Sequence, residues 1–320
     1  MSIISNLNEV AQILKSMDYI YILTHSFPDG DALGSAFVLC RALQKIGKRV
    51  RIKFDHDIPR KFNFLNDYID HDNFKPPDYI ISVDLATDSL LDDGLQRYAS
   101  RIDMCIDHHF SNTKYASLNY IDSTASANCE IIYDLLNIMG IELDKEMAQG
   151  LYLGITGDTG CFRYSNTTAK THYIAAKLME HDIKFSEIND KFFSLKSKKI
   201  LDIERILYQN MTYFADNKIA MSYVTYKNIT DLGIDEHECD GIASIPIRIE
   251  GVQVGAVFRQ KSTGEYKVSI RTIEGINANA IASMFDGGGH YKAAGFNLPN
   301  EPVENLLKLV SDKIIEHMNW

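Results

Sequence analysis

The chain has 320 residues, of which 45% are hydrophobic and 24% charged, and its formal net charge is −10. This length and composition predict a globular protein of two domains and exclude a disordered or fibrous one. The negative charge argues against tight binding of long duplex nucleic acid, which needs a dense basic surface, but it permits a small anionic substrate held by metal ions.

The longest unbroken apolar runs, such as Tyr19–Leu23, are far too short to cross a membrane. The first residues include charged side chains, so no secretion signal is expected and we predict a cytoplasmic protein with no membrane partner. The cysteines follow no C-x-x-C spacing, and we expect them to be reduced thiols. They are Cys40, Cys105, Cys129, Cys161 and Cys239.

Helices and strands alternate through the first half of the chain. Apolar residues at helical spacing predict a helix over Ser5–Met17, and a short β-rich run follows at Tyr19–Thr24. This alternation predicts an α/β fold with a mostly parallel sheet flanked by helices. The other elements predicted here are a helix over Gly34–Ile46, an edge strand at Arg49–Phe54, strands at Tyr79–Val83 and Ile102–Ile106, and helices from Ser126–Met139 to about Asn210.

A smaller α/β domain is predicted in the second half. Its strands are expected at Lys218–Thr225, Val252–Arg259 and Tyr266–Arg271, and its helices at Ala278–Phe285 and Glu304–His317. A Lys-rich helix around Lys196–Gln209 is the expected connector. We therefore predict domains at residues 1–195 and 213–320, a helical connector at 196–212, and an active site in the cleft between the domains.

Polar motifs follow several of the predicted strands. Each is weak alone, since an acidic turn is usually solvated, an aspartate often caps a helix, and two adjacent histidines are often incidental. Together they point to one place, because the carboxyl ends of parallel strands share one edge of a sheet. The residues are His25, Asp29, Asp31, Asp84, Asp107, His108, His109 and, in a Gly-rich loop, Asp158.

Carboxylates gathered in this way need cations, because unpaired buried charge costs several kcal/mol. If two of these histidines and four of these aspartates are the ligands, two imidazoles with four carboxylates and no thiolate favour Mn²⁺, with Co²⁺ or Mg²⁺ as substitutes. Six side chains are too many for one ion that keeps an open position. They suit two ions about 3.5–4 Å apart with a shared carboxylate, an arrangement that clamps both oxygens of an in-line displacement at phosphorus.

These motifs resemble those of the DHH phosphoesterase superfamily, which is named for the triplet found here as Asp107-His108-His109. The segment Gly287–His290, followed by Ala293–Phe296, resembles the signature of the first type of DHH-associated domain. The resemblance covers nearly the whole chain. Within the superfamily, the chain is similar to the bacterial nanoRNase/pAp phosphatase family. One position departs from the pattern, because Asp286 stands where the family usually has the first of four glycines.

The resemblance implies a role for each motif residue. His25, Asp29 and Asp84 would hold one metal ion, and Asp31, Asp84, His108 and Asp158 the other, with Asp84 bridging. Asp107 would orient a histidine, and His109 would face the scissile phosphate. From the second domain, Arg271, Gly288, Gly289 and His290 would hold substrate phosphate. Independently of the family, glycines before a predicted short helix at Tyr291–Ala294 suit close approach of backbone N–H groups to an anion.

The implied activity is cleavage of one bond type, P–O3′, in two kinds of substrate. These are RNA or DNA oligonucleotides of two to about five residues, which would release 5′-mononucleotides, and 3′-phosphoadenosine-5′-phosphate (pAp), which would release AMP and phosphate. The alternatives left open are a RecJ-like single-strand exonuclease, which normally carries an extra domain, a linear or cyclic dinucleotide phosphodiesterase, and a non-catalytic nucleotide-binding regulator. A manganese pyrophosphatase shares the first domain but not the second. A homodimer is also left open.

Overall fold

The structure is a computed structural model that describes residues 2–55, 68–70, 75–234 and 241–320. The chain divides into two compact units, Met1–Leu195 and Lys196–Trp320. The helix expected as a connector, α7 at Lys198–Gln209, is grouped with the second unit. Among the described residues, no helix has the length and apolar character needed to cross a membrane.

The first unit is built on a six-stranded sheet in the order β1-β6-β5-β4-β2-β3, and every pair of neighbouring strands is parallel. The predicted parallel sheet is therefore confirmed, and the predicted edge strand, β3, does lie at an edge. The strands are β1 (Ser2–Ile3), β2 (Ile20–Leu23), β3 (Val50–Ile52), β4 (Tyr79–Val83), β5 (Met104–Asp107) and β6 (Leu118–Ile121).

Helices cover one face of this sheet and form the main hydrophobic core with it. Short 3₁₀ helices at Asp88–Leu90 and Asp93–Arg101 lie against a smaller cluster on strand residues such as Tyr21 and Ile80. With both faces covered, the central strands β2, β4 and β5 are buried almost throughout, as parallel strands usually are. The helices are α1 (Leu7–Ser16), α2 (Gly30–Lys45), α3 (Asn128–Met139), α4 (Lys145–Asp158), α5 (Ala169–Met179) and α6 (Phe185–Asn189).

The second unit contains a mixed six-stranded sheet in the order β11-β12-β10-β9-β8-β7, in which only the β8–β9 pair is parallel. The predicted smaller α/β domain is thus confirmed. The strands are β7 (Thr212–Phe214), β8 (Ile219–Val224), β9 (Val254–Gln260), β10 (Tyr266–Thr272), β11 (Gly288–Gly289) and β12 (Ala293–Leu298). The helices are α7, α8 (Tyr226–Leu232), α9 (Ala278–Ser283) and α10 (Val303–Met318).

The prediction of a short helix over Tyr291–Ala294 is wrong. Residues 290–293 form the turn of a hairpin instead, in which the His290 N–H donates to the carbonyl oxygen of Ala293 at 2.7 Å. Gly288 and Gly289 pair with Gly295 and Ala294 across this hairpin. No helix N-terminus is therefore present in this segment to attract phosphate.

The predicted start of the second helix is also wrong by four residues. Helix α2 begins at Gly30 rather than Gly34, because the Asp29 carboxylate accepts hydrogen bonds from the N–H groups of Asp31 and Ala32 and caps the first turn. The cysteines Cys40, Cys105, Cys129 and Cys161 are free thiols. Cys239 lies outside the described residues.

Candidate metal centre

Three polar motifs of the first unit lie at the ends of β2, β4 and β5, which are adjacent in the sheet. Asp84 follows β4 directly, between the other two, and is buried. Its φ is +52°, in the left-handed region that costs a non-glycine residue about 1–2 kcal/mol. Its N–H donates to the carbonyl oxygen of Ile106 at 3.1 Å, so the strained backbone is held by β5. Strain held in this way is common at functional sites.

Asp31 lies in the first turn of α2 and is completely buried. Its two carboxylate oxygens accept the backbone N–H groups of Asn128, at 2.5 Å, and Cys129, at 2.9 Å. Both N–H groups belong to the first turn of α3, where unpaired donors and the helix dipole favour a negative charge. The start of α3 therefore fixes the orientation of Asp31.

Asp158 does not lie in a loop, as the glycines around it suggested, but is the last residue of α4. Glycines let α4 approach α2 closely. A Cβ on Gly34 would lie 2.5 Å from the carbonyl oxygen of Gly150, and a Cβ on Gly154 would lie 2.7 Å from Asp31 Oδ1. Without this close packing, Asp31 and Asp158 could not share one site.

We expect Gly154→Ala to reduce metal affinity about 10- to 100-fold, since its methyl group would displace the Asp31 carboxylate or the Cys129 thiol that packs beside it. Gly157→Ala is the matched control on the same helix, because a Cβ there meets only Gly30 Cα at 3.9 Å. Calorimetric titration with Mn²⁺ gives both affinities. Equal affinities in the two variants would contradict the packing argument.

His108 directs its Nε2 atom into the middle of the carboxylates. Its Nδ1 lies 3.2 Å from the carbonyl oxygen of Ala125, so Nδ1–H donates there and leaves the Nε2 lone pair for a ligand. Nε2 lies 3.1 Å from Asp158 Oδ2, 3.5 Å from Asp84 Oδ1 and 3.8 Å from Asp31 Oδ2. This convergence places His108 at the centre of the cluster.

The donor set fits divalent cations. His108 Nε2 and Asp84 Oδ1 are buried side-chain atoms without a hydrogen-bond partner, and a cation would satisfy both. Among the described residues, ligand atoms lie within 4.8 Å of one another in three groups. The groups are His25, Asp29 and Asp84; Asp31, His108 and Asp158; and Asp84, His108 and His109. The structure thus brings all six predicted ligands together, with Asp84 in two of the groups.

The Asp107 carboxylate is buried and does not belong to these groups. Its Oδ1 accepts the His108 N–H and the His109 Nδ1–H, both at 2.8 Å, and its Oδ2 accepts the Asn112 side-chain amide at 2.6 Å. These bonds fix the His109 ring, whose other nitrogen stays available on a partly exposed side chain. Sequence reasoning missed Asn112, because an asparagine five residues after Asp107 carries no recognisable signal.

Burial and the neighbouring charges shift the pKa values of the cluster. Burial, together with the negative charge of Asp158, raises the pKa of Asp31 to about 7. Burial and the carboxylates of Asp31 and Asp29 raise the pKa of Asp84 well above its usual value. Burial opposes protonation of His108, but the Asp158 carboxylate 3.1 Å from its Nε2 and the charge of Asp31 outweigh that effect and raise its pKa to about 9. Without cations, the cluster therefore retains protons.

These shifts predict how the stability of the metal-free protein depends on pH. The folded-state pKa values of Asp31 and His108 are raised, so their stabilising contributions are present at low pH and lost as pH rises through about 7 and about 9. In excess chelator, we expect Tm to fall from pH 6 to pH 9. Mn²⁺ in place of the chelator should raise Tm by a larger amount at pH 9 than at pH 6, because fewer protons compete with the ion for the ligands at pH 9. A Tm gain from Mn²⁺ that is larger at pH 6 would contradict the assignment.

The predicted substrate-binding residues of the second unit lie at one end of its sheet. Arg271 pairs with Ala293 across β10 and β12, and Ala293 is hydrogen-bonded to His290. Gly289 has φ +150°, and a Cβ there would lie 2.6 Å from the carbonyl oxygen of Ala293. Position 289 therefore requires glycine, because β11 lies too close to β12 to leave room for a Cβ atom. His290 itself is exposed.

Comparison with known proteins agrees with the two units. Residues 19–155 match the N-terminal domain of the DHH family, and residues 216–316 match the DHHA1 domain. The chain is 32% identical to the bifunctional oligoribonuclease and PAP phosphatase of Thermus thermophilus over 97% of its own length and 93% of the relative's. A relative from Streptococcus mutans, described as a probable enzyme of the same kind, is 32% identical over 92% of this chain and 97% of its own.

Solved structures agree on the fold. An exopolyphosphatase-related protein from Bacteroides fragilis has a TM-score of 0.87 at 22% identity, covering 98% of this chain and 97% of that one. The exonuclease RecJ bound to manganese has a TM-score of 0.50 at 12% identity, covering 96% of this chain and 94% of that one.

Proposed function

The chain belongs to the DHH family of metal-dependent phosphoesterases, and from this membership we propose that it hydrolyses the P–O3′ bond of very short oligonucleotides and of pAp. The observation that carries the proposal is the convergence of His25, Asp29, Asp31, Asp84, His108 and Asp158 on one edge of the sheet. Relatives that match nearly the whole chain are described as oligoribonucleases and PAP phosphatases, which supports the choice of substrate.

We assign two divalent ions to the cluster, Mn²⁺ by preference, with Asp84 as the bridging ligand. Bound ions would supply Lewis acidity, activating water as a nucleophile and neutralising charge on the phosphate. The chain's own residues position these events. The first turn of α3 holds Asp31 in place through two backbone hydrogen bonds, and Gly154 leaves room for its carboxylate. The carbonyl oxygen of Ala125 fixes the tautomer of His108.

His109 is the catalytic residue that would face the scissile phosphate. Its Nδ1–H donates to Asp107, and this bond raises the pKa of His109 above its usual value. When His109 is protonated, its other nitrogen can donate a hydrogen bond to a phosphate oxygen. Asp107 and Asn112 then act by orienting His109.

Arg271, Gly288, Gly289 and His290 are proposed to hold the phosphate that is not cleaved. A guanidinium grips phosphate through two parallel bonds, and His290 offers an exposed ring beside the hairpin. Both pNpN and pAp carry a 5′ phosphate that these residues could bind.

The test is a length series. We expect kcat/KM for 5′-phosphorylated RNA of two, three, five and ten nucleotides, at fixed salt, to fall with length, beside measurable turnover of pAp. A net charge of −10 offers no extended basic track for a long backbone. Values that stay equal or rise to ten nucleotides would favour a RecJ-like exonuclease. Dinucleotide turnover without pAp turnover would favour a dinucleotide phosphodiesterase, and no turnover with Mn²⁺ would favour a binding regulator.

A further inference from the structure

The turn that follows the DHH triplet carries an exposed aromatic side chain. Phe110 is 95% exposed, more than any other large hydrophobic side chain among the described residues. It comes directly after His109, so its Cα lies about 3.8 Å from the Cα of the residue assigned to the phosphate. A solitary exposed apolar residue is usually unremarkable, but this one stands at the rim of the metal centre.

The turn holds Phe110 in a defined place. The Asn112 N–H donates to the carbonyl oxygen of His109 at 3.1 Å, which closes the turn around Phe110 and Ser111. The Asn112 side chain donates to Asp107 Oδ2 at 2.6 Å and to the carbonyl oxygen of Leu85 at 3.2 Å. Asn112 is itself 8% exposed, so this anchor is buried. The same residue therefore orients the catalytic histidine, through Asp107, and fixes the turn that presents the phenyl ring.

We propose that Phe110 is a substrate-positioning residue that stacks on a nucleobase of the nucleotide whose phosphate is bound at the metal centre. A phenyl ring offers a flat π face and no hydrogen-bonding group. Stacking on it would accept any base and would favour the larger purines. A nucleobase belongs to the same molecule as the scissile phosphate, so it is the aromatic partner that the reaction itself brings to this rim. The inference rests on the proposed function.

The experiment compares a substrate with a base and one without. Wild type and Phe110→Ala are assayed with pAp and with its base-free analogue, 1-O-methylribofuranose 3,5-bisphosphate, in Mn²⁺. For Phe110→Ala we expect the ratio of kcat/KM, pAp over analogue, to fall about 5- to 150-fold, the range that loss of one base–aromatic stack gives. The loss should lie in KM with kcat little changed, because stacking is the same before and during the reaction. Phe110→Trp should restore the ratio, and Phe110→Leu should not.

Tyr173→Ala is the matched control, since Tyr173 is an exposed aromatic on α5, 61% exposed, outside the cluster. Its ratio should equal that of wild type. If Phe110→Ala lowers kcat/KM for both substrates equally, or changes only the oligomeric mass, Phe110 does not stack on the base and the inference is overturned. If wild type hydrolyses neither substrate, the proposed function fails first, and the two failures are thereby told apart.

Discussion

Asp84→Asn should abolish turnover, lowering kcat by at least about a thousandfold, because metal-ion catalysis supplies several kcal/mol of transition-state stabilisation. Asparagine tolerates the left-handed backbone at φ +52°, so the change removes the charge of Asp84 without adding backbone strain. Asp84 shares a ligand group with His25 and Asp29, and its Oδ1 lies 3.5 Å from His108 Nε2, so if Asp84 bridges the two ions, binding of both should weaken together. Elemental analysis of the dialysed protein and Mn²⁺ titration measure this directly.

Asp182→Asn is the matched control for that experiment. Asp182 also has a positive φ, +54°, but its side chain is fully exposed and pairs only with Lys145 among the described residues. It should keep both ions and full activity. If Asp84→Asn loses one ion and remains active, Asp84 does not bridge, and the assignment of two ions to this cluster must be redrawn.

His290→Ala and Arg271→Ala should each keep both metal ions but lower kcat/KM for dinucleotides about 10- to 150-fold. The proposed phosphate contacts are charge-assisted, and each such bond contributes about 1.5–3 kcal/mol. Both residues belong to the second unit, whereas every ligand assigned to the metal ions belongs to the first unit. Loss of activity without loss of metal would separate substrate binding from metal binding.

The control for these two variants is Arg205→Ala, since Arg205 is an exposed cation on α7 of the same unit. Its kinetics should match those of wild type, which excludes a general effect of charge. Unchanged kinetics in both His290→Ala and Arg271→Ala would show that neither side chain contacts the substrate.

Much of the first unit could be predicted because its signals are local. Strands β2, β4 and β5 are short, mostly apolar runs with His or Asp at or within two residues of their ends, and parallel strands bring such ends together. The position of Asp158 depends instead on close helix packing at Gly154, which no local pattern reveals. Asn112 was missed for a similar reason, since its importance comes from a long-range bond to the carbonyl oxygen of Leu85 as well as from Asp107.

The hairpin of the second unit shows where a local pattern misled. Glycines followed by Tyr291, Lys292 and two alanines predicted a helix, but tertiary pairing overrides helix propensity here. Arg271 and Ala293 are paired across β10 and β12, and this ladder fixes residues 293–298 as a strand. Strand β12 therefore lies in the sheet because β10 is its neighbour, which the sequence of the segment alone could not indicate.

The central claim is hydrolysis at the P–O3′ bond, and the most direct measurement is pAp turnover in H₂¹⁸O with Mn²⁺. Attack on phosphorus at the 3′ position should yield AMP without label and inorganic phosphate that carries one ¹⁸O atom, both resolved by mass spectrometry. Excess chelator should stop the reaction. Label in the AMP, or adenosine 3′-phosphate as the product, would contradict the proposed chemistry.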